Sequence, residues 1–172
     1  WFIMRKVILS EEANEEITNL LKCIIDSNAV NPDVDGIYMK EYDFCGMEYP
    51  TIELVLIVKD ESFPLEKIRK FYSKNIKTIL NKFGIDIMIG AVLSDHLAYF
   101  PEMTFSGMDT LDIVLRYDIC RNLMNGHVVY DPEDKYENLK LKMISAYDKD
   151  SLAYENLIEF VPPIKLERKK PS

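Results

Sequence analysis

The chain has few of the residues that build disulfide or metal frameworks. Cys23, Cys45 and Cys120 are odd in number and widely spaced, so they predict neither a disulfide framework nor a Cys-x-x-Cys metal site. The two histidines, His96 and His127, have no neighbouring ligand at metal-binding spacing, and we expect them in loops and turns. This pattern favours a soluble protein of a reducing cytoplasm.

Long apolar runs and glycine-rich loops are also scarce. The opening segment 1–9 is interrupted by two charges and followed by Ser-Glu-Glu, so we expect neither a signal peptide nor a spanning helix there. The six glycines form neither a Walker loop nor a dinucleotide fingerprint, and Ser106 lacks the surrounding nucleophile elbow. These absences argue against a membrane protein, a P-loop enzyme and a serine hydrolase.

The charge is acidic and uneven. The net charge is -8, but residues 161–172 carry +3, so the rest of the chain carries -11. An acidic body repels phosphate backbones and argues against general nucleic-acid binding. We predict one domain over residues 1–160, followed by a basic, solvated and disordered tail at 161–172; contact of this tail with an acidic partner is the alternative.

The apolar periodicity predicts helices and strands in a mixed order. Helices are predicted at 10–27, where Ser10 is the cap, at 64–83, which Gly84 ends, at 109–125, and from Asp131-Pro132 through Tyr147. Strands are predicted at 37–44 and up to 58, as an antiparallel pair, at 85–93 away from an exposed edge, and at 127–130. Residues 95–108 show no clear period. The order predicts an α/β (α+β) fold with a mixed β-sheet packed with helices.

Two acidic residues, Glu53 and Asp86, each stand at the head of an apolar strand. A carboxylate is costly to bury in such a run, so it usually lies where solvent, a metal or a partner can meet it. The two acids therefore mark a candidate site. The alternative is that they are strand-end acids exposed to water or paired with Lys40, Lys59 or Arg116.

Four short motifs resemble a known family: Ile52-Glu53-Leu54, Ile85-Asp86-Ile87, Leu115-Arg116-Tyr117-Asp118 and Gly126-His-Val-Val-Tyr130. With them, residues 36–130 are similar to the minimal nucleotidyltransferase fold of small bacterial proteins, which include the antitoxin partners of HEPN toxins. The resemblance implies a nucleotidyltransferase-like fold with Glu53 and Asp86 as metal ligands. We predict Lys40, Thr51 and Arg116 beside them as nucleotide-binding residues.

Two positions depart from the family pattern. Lys40-Glu41 stands where the family has Gly-Ser, so side chains fill the space in which a glycine backbone lets phosphates approach. Thr51-Ile52-Glu53 stands where the family has Asp-x-Asp, so one carboxylate is missing. Two-metal phosphoryl chemistry needs several carboxylates to offset the charge of its divalent ions.

Two functional hypotheses remain open. The altered positions favour a degenerate metal site in a non-catalytic binding or regulatory module, with a protein as a possible partner. The alternative is an active enzyme that moves a nucleoside monophosphate from a triphosphate to a hydroxyl of a small molecule or protein. Only the second hypothesis requires Mg²⁺ as a cofactor, and both allow a nucleotide ligand.

Overall fold

One mixed β-sheet organises the chain. The computed structural model describes residues 8–42, 49–98 and 122–146. Their elements are, in order, α1 (Glu11–Ala29), β1 (Val34–Tyr42), β2 (Thr51–Val58), α2 (Leu65–Phe83), β3 (Asp86–Leu93), α3 (Ser94–Ala98), β4 (His127–Tyr130) and α4 (Lys135–Ala146). The strand order is β3-β2-β1-β4, with β1 antiparallel to β2 and β4, and β2 parallel to β3. The predicted α+β class, with a mixed sheet packed with helices, is confirmed.

The two long helices begin and end where local signals predict. The Ser10 hydroxyl accepts a hydrogen bond from the Ala13 N–H at 3.1 Å, and this cap begins α1. Helix α2 begins directly after Pro64, and Gly84 ends it in a left-handed conformation with φ of 67°. The prediction for both helices is confirmed, although α1 extends two residues beyond the predicted end at 27.

The sheet separates two apolar layers. Its first face packs against α1 and α2 through aliphatic side chains, among them Ile17, Leu21, Ile37, Leu54 and Ile87. Its second face meets α3, the helical residues 122–124 and α4, with a core made of Tyr38, Val55, Ile57, Val92, Leu97, Leu123, Met124, Tyr136 and Met143. Because side chains alternate along a strand, a residue between two first-face residues lies on the second face.

Strand β3 occupies a different place from the predicted one. The sequence predicts it away from an exposed edge, but it is the outermost strand of the sheet that the described residues form. Its outer side is partly covered by α2, since the Arg69 Nε donates a hydrogen bond to the Ile89 carbonyl at 2.8 Å. Both faces of the strand still contact a core, which explains why its sequence is apolar throughout.

Several predicted boundaries also differ. Strand β1 begins at Val34 rather than at 37, and part of the segment without a clear period forms α3. Helix α4 begins at Lys135 rather than Asp131, because the Asp131 carboxylate stays outside the helix and accepts hydrogen bonds from the N–H groups of Tyr136 and Glu137. The predicted strand at 127–130 is confirmed. Of the predicted helix at 109–125, residues 122–124 are helical and the earlier part lies outside the described residues.

None of the helices in the described ranges combines the length and the apolar character that crossing a bilayer demands. The predicted basic tail at 161–172 also lies outside the described residues.

Candidate functional site

Lys40 and Glu53 face each other across two central strands. They are register partners in the antiparallel pair of β1 and β2. Ile52 and Leu54 belong to the first-face core, so Glu53 between them lies on the second face. The same pairing brings Lys40 to that face, and both charged side chains therefore lie on the side of the sheet opposite α1 and α2.

The Lys40 side chain is held inside the protein. The residue is 4% exposed, and its Nζ donates a hydrogen bond to the Asn122 Oδ1 at 2.6 Å. The sequence predicts Lys40 as a nucleotide-binding residue at the place of a phosphate-binding turn. The structure has continuous strand at this position, with Glu41 beside it also buried. Lys40 thus brings a fixed positive charge into the interior next to Glu53.

Glu53 is partly buried and points along the sheet toward β3. A β-carbon added at Gly90 would meet the Glu53 Oε2 at 3.4 Å, which places the carboxylate over this glycine. Within the described ranges, no hydrogen bond or ion pair joins the carboxylate to another residue. Burial raises the pKa of Glu53, and the charges of Lys40 and Arg69 oppose that rise without forming an ion pair with it. The carboxylate therefore retains its capacity to accept hydrogen bonds.

Asp86 lies apart from the Glu53 carboxylate. The parallel register aligns Asp86 with Thr51, whereas Glu53 is aligned with Met88 and its carboxylate reaches Gly90. Asp86 and Gly90 are four residues apart, about 13 Å along a strand. A divalent ion holds its oxygen ligands at about 2 Å, so two carboxylates that share one ion must converge. The two residues therefore lie at different positions along the paired strands, and their shared role as metal ligands stays a prediction.

Thr51 has a local structural role in this arrangement. It is buried, and its hydroxyl donates a hydrogen bond to the Tyr49 carbonyl at 3.0 Å. This contact fixes the chain where it enters β2. The nucleotide-binding role that the sequence predicts for Thr51 stays a prediction.

The donor set that the described residues provide does not fit a divalent-metal clamp. Among them, no group of three or more histidine, cysteine, aspartate and glutamate side chains is placed to hold a metal ion. Lys40 adds a positive charge beside Glu53, which is partly buried on the second face. Arg116, the third predicted nucleotide-binding residue, lies outside the described residues.

A cavity of about 280 Å³ opens beside Glu53. Its polar lining comes from Glu53, Tyr38, His96 and Asn122, and the remaining lining is formed by Val55, Gly90, Ala91, Val92 and Leu93. The cavity therefore combines one hydrogen-bond-accepting carboxylate with largely aliphatic walls.

Two residues that line this cavity and one whose charge acts on Glu53 were not predicted as part of a site. His96 lies in α3, Asn122 in the short helical stretch after the undescribed segment, and Arg69 in α2. The predicted loop and turn positions of the histidines are wrong, since His127 lies in β4. No sequence motif marks His96, Asn122 or Arg69, because only the packing of α2, α3 and residues 122–124 against the sheet brings them near Glu53.

Another carboxylate of the sheet, Asp35, lies near the start of β1, at the other end of the strand from Lys40. The strand register shifts between Val34 and Gly36, so Asp35 stands in a β-bulge. Its Oδ2 accepts a short hydrogen bond from the Tyr136 hydroxyl and lies 3.3 Å from the Lys135 Nζ. Burial alone would raise the pKa of Asp35, but the Tyr136 hydrogen bond and the Lys135 charge lower it below its ordinary value.

Comparisons with known proteins give one distant likeness. No protein-family model matches the chain, and no curated protein matches it. A chain from the solved complex of the tri-AMPylated HEPN toxin of Shewanella oneidensis with an MNT antitoxin is similar at 11% identity and a TM-score of 0.36. The alignment covers 78% of this chain and 86% of that one. No functional role is taken from a likeness at this level.

Proposed function

We propose that the chain is a non-catalytic binding or regulatory module, built on a nucleotidyltransferase-like fold whose metal site has lapsed. The observation that carries the proposal is the buried Lys40 beside Glu53, together with the separation of Glu53 from Asp86. In two-metal transfer, divalent ions bridge the reacting oxygens and converging carboxylates offset their charge. Here a lysine ammonium supplies positive charge next to the acid, so a second cation would be repelled.

The module would bind its ligand through contacts that need no metal. The acidic body disfavours a nucleic-acid partner, and the resemblance in sequence to antitoxin-type nucleotidyltransferases makes a protein the natural macromolecular partner. A nucleotide remains a possible ligand of the second face. The alternative function is metal-dependent nucleotidyl transfer with Glu53 and Asp86 as ligands of Mg²⁺.

Isothermal titration separates the two functions. The protein is titrated with ATP, GTP, CTP and UTP, each with and without Mn²⁺, and the titrations are repeated on a Glu53→Ala, Asp86→Ala double variant. We expect Mn²⁺ to leave the binding of every nucleotide unchanged. Metal-dependent binding that disappears in the double variant would overturn the proposal and support the transferase.

A Lys40→Met variant tests whether the charge of Lys40 keeps a divalent cation away from Glu53. Methionine keeps much of the lysine volume and removes the charge, so it leaves Glu53 without its neighbouring cation. We expect Mn²⁺ binding, measured by electron paramagnetic resonance, to strengthen in Lys40→Met and to weaken again when Glu53→Gln is added. Equal Mn²⁺ affinity in all three proteins would show that Lys40 does not exclude a cation from the site.

A further inference from the structure

The cavity beside Glu53 has a size and a lining that limit its ligand. Pockets for drug-sized ligands usually measure about 300 to 1,000 Å³, so a cavity of about 280 Å³ suits a smaller molecule, such as one heterocyclic ring with part of its substituent. Val55 and Val92 offer aliphatic surface to a flat ring. The ligand is therefore small and partly apolar, with polar groups on one side.

The Glu53 carboxylate determines which polar groups the ligand presents. A carboxylate has two oxygens in one plane and accepts two parallel hydrogen bonds when the donors lie side by side. Among the described residues Glu53 has no hydrogen-bond partner, so both oxygens are available to a ligand in the cavity. A molecule with two adjacent N–H donors on one edge complements this acceptor pair.

The surrounding charges decide between a neutral and a cationic ligand. Lys40 and Arg69 both act on Glu53 electrostatically, from β1 and from α2 respectively. The Arg69 guanidinium also pairs with Glu66, whose Oε1 lies 2.6 Å from the Arg69 Nη1, so Lys40 is the main positive charge beside Glu53. It disfavours a guanidinium or a metal ion there, since either would place a second positive charge next to the Lys40 ammonium. A neutral ring with the same donor pair meets no such repulsion.

From these three observations we propose that the cavity binds the guanine base of a nucleoside or nucleotide, without a metal, through Glu53. The guanine edge carries a ring N1–H and an exocyclic 2-amino group side by side, and both donate to the Glu53 carboxylate. The ring lies against the aliphatic wall of the cavity, next to His96. The inference rests on the proposed function, because it requires that the Glu53 carboxylate binds no metal ion.

Nucleosides test the base contact without any contribution from phosphate. The protein is titrated with guanosine, inosine and adenosine in EDTA. We expect guanosine to bind with a Kd on the order of 0.1 mM, as a ligand of this size allows. Inosine lacks the 2-amino donor and adenosine lacks both donors, so we expect each to bind at least about tenfold more weakly. Equal affinity for guanosine and inosine, or no guanosine binding at millimolar concentration, would overturn the inference.

Glu53→Gln and Glu53→Ala form a matched pair of variants, because the first changes the hydrogen-bonding groups at this position and the second removes them. The amide of Glu53→Gln presents one acceptor and one donor, which complement the N1–H and the 2-oxo group of xanthine. We expect Glu53→Gln to lose guanosine affinity by at least about tenfold and to gain affinity for xanthosine. Glu53→Ala is expected to lose guanosine affinity without that gain. Retained guanosine binding in both variants would contradict the role of Glu53, and thermal unfolding of each variant checks that it is folded.

Methylguanidinium offers the same donor pair on a cation. We expect it to bind more weakly than guanosine because of Lys40, and tighter binding would overturn the choice of a neutral ligand. Failure of this inference is distinguishable from failure of the proposed function. Metal-dependent triphosphate binding contradicts the proposed function, whereas absent guanosine binding in EDTA without any metal dependence contradicts the guanine inference alone.

Discussion

Asp35 and Glu53 are carboxylates of the same sheet in opposite situations. Asp35, at the start of β1, receives a hydrogen bond from Tyr136 and pairs with Lys135, and its pKa is lowered. Glu53, on β2, has no hydrogen-bond partner within the described part of the chain, and burial raises its pKa. One acid is more stable as an anion in the folded protein than in water, and the other is less stable.

The difference distinguishes a structural acid from an acid that is a candidate for ligand binding. A carboxylate whose oxygens are satisfied by its own chain ties elements together, as Asp35 ties β1 to α4. A partly buried carboxylate without partners weakens the fold, and such groups concentrate where a ligand supplies the missing hydrogen bonds. Variants in one of the two regions can therefore be compared with matched variants in the other.

The largest effect is expected from Gly36→Ala, beside Asp35. A β-carbon at this position would lie 2.7 Å from the Tyr136 ring, and that ring is fully buried. We expect a loss of about 2–3 kcal/mol in the free energy of unfolding, measured by urea denaturation, because the rigid ring must move.

The matched control is Gly90→Ala, beside Glu53. Here the added β-carbon meets Glu53 at 3.4 Å, an ordinary contact with a flexible side chain. We expect a change in stability within about 0.5 kcal/mol, together with weaker ligand binding because the methyl group narrows the cavity. Equal destabilisation by both substitutions would show that the two regions are equally closely packed.

The next largest effect concerns the Tyr136 hydroxyl, which donates a hydrogen bond to Asp35. Tyr136→Phe keeps the ring and removes the donor, and we expect it to cost about 1–2 kcal/mol at pH 7. A lowered pKa contributes stability above the ordinary Asp pKa of about 3.9 and loses it as the pH falls through the lowered value. Urea denaturation at several pH values is therefore expected to show a smaller difference between wild type and variant below pH 4. A difference independent of pH would place the effect in packing rather than in the hydrogen bond.

A small effect of opposite sign is expected from Glu53→Gln. Because the folded protein raises the Glu53 pKa, the ionised acid weakens the fold above that pKa, and the penalty is absent below the ordinary Glu value of about 4.3. We expect the variant to be more stable than wild type by less than about 1 kcal/mol at pH 7.5 and equal to it near pH 4. Destabilisation at pH 7.5 would show that Glu53 has a structural partner, as Asp35 has.

Local signals predict the elements far better than the site. Ser10 and Gly84 mark helix boundaries through hydrogen bonds and backbone geometry that depend on a few neighbouring residues, so the sequence suffices for them. The position of β3 at the edge of the described sheet depends on strand order, which no local pattern encodes.

The candidate site illustrates the same limit. Both Glu53 and Asp86 head apolar strands, and the sequence predicts that they act together. The parallel register aligns Asp86 with Thr51 and Glu53 with Met88, and the Glu53 side chain extends toward Gly90, a placement that the sequence does not predict. The arrival of Lys40 beside Glu53 depends on the antiparallel register of two other strands. Sequence patterns thus identify the acidic residues, while strand pairing decides which charges meet.

The hydrogen bond from Arg69 to the Ile89 carbonyl has a consequence for solubility. An uncovered edge strand exposes a row of backbone groups that can template a strand of another chain, which is how sheets join into aggregates and fibrils. Arg69 occupies one of these acceptors on β3 and places a guanidinium at the centre of the row. A second chain would have to break this bond and strip water from a charged group before it could pair there. Within the described part of the chain, α2 therefore hinders the pairing of β3 with a strand of another chain.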